Sequence, residues 1–275
     1  MRDFLAKTIV VTGAGSGIGR ALARAFAMKG AFLAISDVDE ASLLETQGLI
    51  KRSGGRVSAQ VLDVSDKASM YSYADQVYAE FGGLDIVINN AGVNVSDTIE
   101  SLNYDDFEWV MNINFWGVVY GTKAFLPYLK QSKEAYVVNI SSIFGIMAFP
   151  TQGAYNASKF AVKGFTEALR YELEDSSVTP ICVHPGGIKT NIVKNARFRQ
   201  ADDGSTDHKA AIRDFSRMAK TTPDEAAKQI VSAILKGNKR LLIGGDARLF
   251  DVMQRVLPKS YDRIIGFVMK KGLIK

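Results

Sequence analysis

Soft metal ligands and disulfide-forming residues are scarce in this sequence. Its 275 residues include one cysteine, Cys182, and two histidines, His184 and His208. A single cysteine excludes an internal disulfide and fits a reducing compartment, so we expect a cytoplasmic protein. Three scattered residues do not make the ligand cluster that zinc requires, so we expect no metal site.

Long apolar runs and a marked charge imbalance are missing as well. No stretch of eighteen apolar residues occurs, and the first predicted strand begins almost at once. We therefore expect neither a membrane-spanning helix nor a signal peptide. The net charge is +5, of which residues 246–275 contribute +4 through seven Lys or Arg and three Asp. Such a local excess does not indicate nucleic-acid binding.

Short β-branched runs alternate with longer segments of helical periodicity. With 47% hydrophobic and 23% charged residues, the composition is that of a globular protein with a large core. The predicted strands are 7–12, 31–36, 57–62, 85–88, 135–140, 178–183 and 240–243, and the main helices are 39–52, 66–81, 103–130, 153–174 and 222–236, the last with a capping box at Thr222. This alternation predicts one α/β domain over 1–275, with a parallel sheet and helices on both faces.

A glycine-rich turn follows the first strand. Residues 12–19 read Thr-Gly-Ala-Gly-Ser-Gly-Ile-Gly and lead into a helical pattern. Glycines between a strand and a helix let backbone N–H groups approach a pyrophosphate at the helix N-terminus. The spacing Gly-x-x-x-Gly-x-Gly is one residue longer than the usual dinucleotide fingerprint. The alternative is a tight turn with no ligand.

An acidic residue, Asp37, ends the second strand eighteen residues after Gly19. A carboxylate there can accept hydrogen bonds from the hydroxyls of an adenosine ribose and would repel a 2′-phosphate. Ser16 and Val38, which flank the same region, are neutral. The sequence therefore favours NAD over NADP. The alternative is that Asp37 caps the following helix, for which Asp39 is a competing candidate.

A hydroxyl, a phenol and an amine are grouped after the strand 135–140. Ser142 lies thirteen residues before Tyr155, and Lys159 follows Tyr155 by four residues in a predicted helix. Side chains at that helical spacing lie on one face. A cation beside Tyr155 would lower the phenol pKa from about 10 and suit it to proton transfer at an alcohol oxygen. The alternative is an ordinary helical Tyr–Lys pair.

Other polar residues follow strand ends, where ligands bind in open α/β sheets. They are Asp63-Val64, Asn89-Asn90-Ala91-Gly92 and the run from His184 to Thr190. The helix 103–130 also contains Asn112 and Asn114 among apolar residues. A buried Asn needs hydrogen-bond partners, so we expect one of the two to have a particular role.

These motifs, occurring together and in this order, resemble the short-chain dehydrogenase/reductase family. The resemblance covers residues 7 to about 190 and returns more weakly to about 245. It implies a Rossmann-type, doubly wound sheet of predominantly seven parallel strands, an NAD(P)-dependent oxidoreductase activity, and a homodimer or homotetramer.

The resemblance also implies roles for individual residues. Tyr155 would be the catalytic acid/base, and Ser142 would hold the substrate oxygen, while its neighbour Ser141 points away. Lys159 would bind the nicotinamide ribose and lower the Tyr155 pKa. Asn114, preferred over Asn112, would hold a water of a proton relay.

The cofactor would be held by residues of the glycine-rich turn and of the strand ends. The set is Gly13, Gly15, Ser16, Gly17, Ile18, Gly19, Asp37, Asp63, Val64, Asn90, Ala91, Gly92, Tyr155, Lys159, Pro185, Gly186, Ile188 and Thr190. The implied reaction is reversible hydride transfer between nicotinamide and an alcohol or carbonyl, with alcohol oxidation favoured if the cofactor is NAD.

Two segments would set the substrate. Residues 189–220 correspond to the family's mobile substrate lid, or else to a plain surface loop. Residues 246–275 carry two apolar helical sets, Leu249 to Leu257 and Tyr261 to Val268, followed by Lys270-Lys271. These helices either cover the pocket or a subunit interface, or rest as a basic amphipathic end on a membrane surface.

The predicted pocket walls, Ile143, Met147 and Phe149, are apolar. The sequence therefore favours a lipophilic alcohol or ketone as substrate. Two alternatives stay open: an NADPH-dependent ketoreductase of acyl thioesters, which Asp37 disfavours, and a non-catalytic dinucleotide-sensing protein, which the intact catalytic set disfavours.

Overall fold

The computed structural model of the chain describes residues 1–201 and 203–270. Its strands are β1 Thr8–Thr12, β2 Phe32–Asp37, β3 Arg56–Val61, β4 Ile86–Asn89, β5 Val95–Ser96, β6 Ala135–Ile140, β7 Val178–Pro185, β8 Arg197–Phe198 and β9 Arg240–Ile243. Its helices are α1 Gly17–Ala27, α2 Glu40–Arg52, α3 Lys67–Phe81, α4 Tyr104–Met111, α5 Gly117–Leu129, α6 Gly153–Glu172, α7 His208–Met218, α8 Pro223–Leu235, α9 Gly245–Val256 and α10 Tyr261–Lys270. A π-helical turn, Asn112–Trp116, joins α4 to α5, and a 3₁₀ turn, Ile143–Gly145, follows β6.

Seven parallel strands form one sheet in the order β3-β2-β1-β4-β6-β7-β9. The period-2 alternation of each strand buries both faces: Ile9 and Val11 pack with α1 and α8, whereas Val10 packs with α3 and α5. The chain passes from β3 back across β1 to β4, so the strand order reverses beside β1. The predicted Rossmann-type α/β fold is confirmed, and ligands of such sheets bind beyond this reversal point.

The predicted helix 103–130 divides into α4, the π-helical turn and α5. A π turn places one extra residue in the turn and changes which side chains face inward. Asn114 becomes completely buried, while Asn112 is exposed. The π-helical turn therefore shows which of the two asparagines is buried, a choice that the sequence alone left open.

The end of β7 corrects one predicted boundary. His184 and Pro185 were placed in a loop, but they close the strand and pair with Leu242 and Ile243 of β9. Pro185 occupies the last position of the strand, where its missing N–H costs little. The cofactor-side loop consequently begins at Gly186.

A second, two-stranded parallel pairing was not predicted. Val95 and Ser96 of β5 pair with Arg197 and Phe198 of β8, outside the main sheet. Strands of two residues are too short to show hydrophobic alternation, so periodicity could not reveal them. The pairing attaches the segment 197–200 to the chain that follows Gly92.

Buried polar side chains cross the centre of the sheet. Asn89 Nδ2 donates to Asn139 Oδ1 at 2.8 Å and to Thr122 Oγ1 at 3.1 Å, and Asn139 Nδ2 donates to Thr166 Oγ1 at 3.0 Å. These bonds tie α5 and α6 to the adjacent strands β4 and β6 on one face of the sheet. Gly121 keeps this approach open, because a Cβ there would meet Asn89 Oδ1.

The predicted capping box at the start of α8 is confirmed. Thr222 Oγ1 accepts from Glu225 N at 3.2 Å, and Thr222 N donates to Glu225 Oε2 at 2.7 Å. The two bonds satisfy donors that a helix N-terminus otherwise leaves free.

Candidate active site

Ser142, Tyr155 and Lys159 meet beyond the carboxyl end of β6. Ser142 follows the strand and begins the 3₁₀ turn, where its Oγ accepts from Phe144 N at 3.1 Å. Lys159 lies one helical turn after Tyr155, and its Nζ is 5.5 Å from the centre of the Tyr155 ring. The same Nζ donates to Ile140 O at 3.1 Å. Tyr155 and Lys159 therefore lie on the same face of α6, which packs against the end of β6.

Two neighbours hold the backbone of Ser142. Ser141 Oγ points away from the phenol and donates to Lys159 O at 2.8 Å. His184 Nδ1 lies 3.1 Å from Ser142 O, and because a carbonyl only accepts, Nδ1 carries the hydrogen. Burial lowers the pKa of His184 to about 4, so the ring is neutral at physiological pH. Sequence reasoning gave His184 no role, since only the register of β7 brings it to β6.

Burial dominates the acidities of Tyr155 and Lys159 in the protein by itself, and the expectation that Lys159 lowers the Tyr155 pKa stays a prediction. Burial raises the pKa of Tyr155 to about 12, and the Ser142 side chain offsets part of this rise. Burial also lowers the pKa of Lys159 to about 8, because the desolvated ammonium is disfavoured. In the protein by itself, desolvation is therefore the largest influence on the pKa of each group.

Asn114 is held entirely by protein groups. Its Oδ1 accepts from Val93 N at 2.8 Å, and its Nδ2 donates to Val93 O at 2.9 Å and to Ser158 Oγ at 3.1 Å. The side chain therefore fixes the segment after Gly92 against α6, beside Tyr155. The expected water-holding role stays a prediction.

The glycine-rich turn packs too closely for side chains. Gly13 and Gly17 have φ angles of +64° and +51°, and a Cβ on Gly13 would lie 2.7 Å from Ala91 Cα. Ser16 precedes α1 without capping it through its side chain, and no acidic residue occupies the first turn, which includes Ile18 and Gly19. The N-terminal N–H groups of α1 thus point out of a cradle made of backbone, which suits an anion.

Asp37 supports this cradle from β2. Its Oδ2 accepts from Gly15 N at 2.7 Å and its Oδ1 accepts from Asp39 N at 3.0 Å. The cap of α2 is Asp39, which accepts from Ser42 N, so the alternative capping role of Asp37 is excluded.

Arg20 is a cation near Asp37 that the sequence analysis overlooked. Its Nη2 donates to Gly15 O at 2.5 Å and to Glu45 Oε2 at 2.6 Å, and its Nε donates to Thr46 Oγ1. Its position on α1, far from Asp37 in sequence, concealed this proximity. The guanidinium is therefore already paired with Glu45.

The remaining predicted cofactor residues line the strand ends. Asn90 Nδ2 donates to Thr12 O and Gly13 O at 2.9 and 3.1 Å, which joins the ends of β1 and β4. Asp63 is exposed and accepts from Ser65 N, while the neighbouring Val64 is buried. Gly92 faces the catalytic group: a Cβ there would lie 3.3 Å from Asn114 Oδ1 and 3.5 Å from Lys159 Nζ.

The loop after β7 closes the site on its far side. Gly186 N donates to Ile243 O at 2.9 Å, and Ile188 pairs with Thr221. Thr190 reaches α1, because its Cγ2 would be 3.1 Å from a Cβ on Gly17.

Asp246 is another residue that sequence reasoning missed. It lies in the first turn of α9, and its Oδ2 accepts from Gly187 N at 2.6 Å. Its carboxylate also fills the space that a Cβ on Gly186 would need. Asp246 thus secures the loop from Gly186 to Thr190 to α9, a contact between distant segments that no local pattern signals.

A row of aromatic side chains begins at Tyr155. The Phe144 ring stacks on Phe149 at 4.6 Å and meets Tyr155 edge-on at 5.8 Å, and Phe250 of α9 meets Phe149 at 5.8 Å. Of the predicted walls, Ile143 and Met147 are buried, and Ile143 belongs to the same apolar cluster as Phe144 and Phe250. The 3₁₀ turn rotates Phe144 toward the site, and α9 supplies Phe250.

This arrangement fits a dinucleotide. The backbone cradle at Gly13–Gly19 suits a pyrophosphate, and Asp37 and Asp63 supply acceptors for hydroxyl or amino groups. An ammonium has three donors, and among the described residues Lys159 Nζ bonds one acceptor, Ile140 O, which leaves donors for ribose hydroxyls. All predicted site residues lie along one edge of the sheet.

The lowered Lys159 pKa predicts a pH-dependent stability. The unfolded chain binds more protons than the folded one between the folded pKa of about 8 and the ordinary value, so Lys159 makes the protein more stable as pH rises through that window. We expect the unfolding free energy of the wild type to gain about 2 kcal/mol relative to Lys159→Met between pH 8 and pH 10, since one pKa unit corresponds to about 1.4 kcal/mol.

Urea unfolding at several pH values measures this difference. Lys163→Met, one turn further along α6, is the matched control and should run parallel to the wild type. A constant difference between wild type and Lys159→Met across the window would contradict the buried-amine account.

Comparison with known proteins agrees with this geometry. The family model for short chain dehydrogenases matches residues 7–201. SadH of Mycobacterium tuberculosis is 44% identical over 268 residues, covering 97% of this chain and 96% of SadH. A 3-ketodihydrosphingosine reductase of Bacteroides thetaiotaomicron is 33% identical over 200 residues, covering 73% of this chain and 71% of that protein.

The fold is also similar to a solved structure. A short chain dehydrogenase/reductase from Burkholderia phymatum in complex with NAD matches with a TM-score of 0.86 and 28% identity, covering 93% of this chain and 95% of that chain. The predicted family is confirmed: the chain belongs to the short-chain dehydrogenase/reductase family of NAD(P)-dependent oxidoreductases.

Proposed function

We propose that this protein is an NAD-dependent oxidoreductase that interconverts an alcohol and a carbonyl of a lipophilic substrate. The observation that carries the proposal is the meeting of Ser142, Tyr155 and Lys159 at the end of β6, beside an aromatic wall. Such a group of hydroxyl, phenol and amine is suited to proton transfer at a carbinol oxygen.

When bound, the cofactor supplies the hydride acceptor or donor. Tyr155 gives a proton to the substrate oxygen during carbonyl reduction and takes it back during alcohol oxidation. Ser142 donates a hydrogen bond that orients the same oxygen. Lys159 binds ribose hydroxyls with the donors left free by Ile140 O, and Asn114 holds the segment after Gly92 in place.

The raised pKa of Tyr155 bears on direction. With a pKa of about 12, the phenol is protonated at neutral pH and is ready to act as the acid in carbonyl reduction. Alcohol oxidation requires the phenolate, which a positive charge nearby would favour. The positive charge of a bound, oxidised nicotinamide would lower the Tyr155 pKa. We therefore expect the phenolate that alcohol oxidation needs to form only when the cofactor is bound.

Asp37 supports NAD as the cofactor. Its carboxylate lies at the glycine-rich turn, and the nearby cation Arg20 is engaged by Glu45 and backbone carbonyls. A 2′-phosphate would be repelled by the carboxylates of Asp37 and Glu45, while the Arg20 guanidinium is already paired with Glu45. This argument also disfavours the alternative, an NADPH-dependent ketoreductase of acyl thioesters.

The aromatic wall supports a lipophilic substrate. Phe144 contacts the Tyr155 ring, and Phe149 and Phe250 extend the apolar surface from Phe144; such a surface favours a ligand with an apolar body. The similarity to a protein named for reducing 3-ketodihydrosphingosine, a compound with a long alkyl chain, supports the same substrate class.

Tyr155→Phe tests the proposal. With a series of aliphatic ketones and alcohols, we expect turnover to fall at least 100-fold, since a positioned acid contributes about 10²–10⁴. NADH affinity, measured by fluorescence, should exceed NADPH affinity in both proteins. Tyr171→Phe, on the same helix with an exposed phenol, is the matched control. Full turnover in Tyr155→Phe would refute the assigned acid; NADH binding without turnover of any substrate by the wild type would favour the sensing alternative.

The helix α9 contributes both to the pocket and to the surface. Ala247 and Phe250 pack with the 3₁₀ turn, which supports a covering role. Leu249, Val252 and Val256 are 64%, 57% and 69% exposed along one helical face. Among the described residues, no helix has the length and apolar character needed to cross a membrane. Residues 271–275, and the side chains of 267–270, lie outside the described residues.

We propose that this exposed face touches an anionic membrane surface, because Arg248, Arg255, Lys259 and Arg263 are exposed around it. Flotation with anionic vesicles should show at least fivefold less binding for the triple Gln variant of Leu249, Val252 and Val256. A triple Gln variant at other exposed apolar positions is the control: Leu44, Ile99 and Tyr171. Equal binding by all three proteins would exclude the contact.

Subunit contacts are proposed elsewhere, at exposed aromatic residues of the segment α4–α6 such as Trp116 and Phe160.

A further inference from the structure

One buried carboxylate outside the catalytic group binds two arginines. Asp106, in the first turn of α4, is 3% exposed. Its Oδ1 accepts from Arg197 Nη1 at 2.7 Å, and its Oδ2 accepts from Arg199 Nη2 at 3.2 Å and from Asn103 Nδ2 at 3.2 Å. Burial alone would raise the pKa of Asp106, but the two guanidinium groups and Asn103 hold it below its usual range. The carboxylate is therefore charged and fully engaged.

The two arginines belong to the segment 197–200. Residues two apart in a strand project to the same side, so Arg197 and Arg199 can share one carboxylate. The guanidinium of Arg197 also lies 3.7 Å above the ring of Trp109, one turn after Asp106 on α4. A planar guanidinium can stack and form an ion pair at once, which a Lys side chain cannot do in the same way.

Backbone bonds of this segment are few. Arg197 N donates to Asn94 O at 3.0 Å and Arg199 N donates to Ser96 O at 2.9 Å, which makes the two-residue pairing of β5 with β8. A ribbon of two strands is marginal without further support. The clamp formed by Asp106, Arg197, Arg199 and Trp109 supplies that support from the side.

The same segment reaches the loop before Tyr155. Gln200 Nε2 donates to Asp97 Oδ1 at 2.9 Å, and Asp97 N donates to Thr151 O at 2.9 Å. Thr151 lies four residues before Tyr155 and has a φ of +59°, a conformation that needs support from its surroundings. Two hydrogen bonds through Asp97 thus connect Gln200 to the active-site loop.

We propose that Asp106 is a positioning residue for the substrate: by gripping Arg197 and Arg199, it fixes the segment 197–200 against β5 as an immobile wall of the substrate pocket. The segment 189–220 is then not one mobile lid, because its 197–200 part is anchored to α4. The effect on turnover rests on the proposed function; the effect on the segment itself does not.

Asp106→Asn tests the clamp in the full-length protein. The substitution removes the charge but keeps the size and a hydrogen-bonding side chain. We expect hydrogen exchange of peptides covering 194–201 to accelerate at least tenfold, KM for the substrate to rise at least fivefold, and kcat and NADH affinity to change less than threefold. Asp105→Asn, the exposed neighbour with the same change in charge and helix position, should match the wild type in all four measurements.

Unchanged exchange over 194–201 in Asp106→Asn would overturn the proposal. So would a loss confined to kcat, because a wall of the pocket acts on substrate binding. If Asp106→Asn does not fold, Arg199→Gln is used in its place. The Arg199 side chain is 55% exposed, so its removal leaves no cavity in the core. Hydrogen exchange over 194–201 equal to wild type in Arg199→Gln would also overturn the proposal. Because exchange is measured without substrate, a protein that turns nothing over would refute the proposed function while the clamp is still tested.

Discussion

The buried amine of Lys159 is the constraint on which the arrangement of the site depends. Its Nζ donates to Ile140 O, and Ser141 Oγ donates in return to Lys159 O, so α6 is fastened to the end of β6 at two points. Gly145 permits this contact, because a Cβ there would meet both Ser141 Oγ and Lys159 O. Once the helix is held this way, Tyr155 must face Ser142.

The same contact explains the acidities at the site. Bringing α6 onto the strand removes water from the phenol and from the amine, which raises one pKa and lowers the other. The protein thus keeps the Tyr155 phenol protonated. Among the described residues, Lys159 Nζ has one hydrogen-bond acceptor, Ile140 O. Both features are suited to a cofactor that brings ribose hydroxyls and, when oxidised, a positive charge.

Much of the fold and of the catalytic group could be predicted because their signals are local. The strand–turn–helix pattern around Gly13–Gly19 and the capping box at Thr222 each depend on a few neighbouring residues. The net direction of the Tyr155 pKa could not be predicted in the same way, because it depends on burial, which raises the pKa more than the Ser142 side chain lowers it. Arg20, Asp246 and Phe250 were missed since tertiary packing alone brings them to the site.

Residues far from the sequence motifs also contribute to the site. Asp246 and Phe250, both on α9, fix the cofactor-side loop and the pocket wall, so the C-terminal part of the chain is built into the site. Asp106 holds the segment 197–200 in a corresponding way, through α4. The helix α4 leads directly into the π-helical turn that carries Asn114, so a single continuous segment supports the pocket wall and the loop after Gly92.

Isotope transfer tests the central claim most directly, namely that hydride transfer in this site depends on the Tyr155 proton. The protein is incubated with NADH carrying deuterium at both C4 positions and a lipophilic ketone, and the product alcohol is analysed by mass spectrometry and NMR. The account predicts one deuterium on the carbinol carbon with the wild type and next to none with Tyr155→Phe at saturating NADH. Equal labelling by the two proteins, or an alcohol product without deuterium, would contradict it.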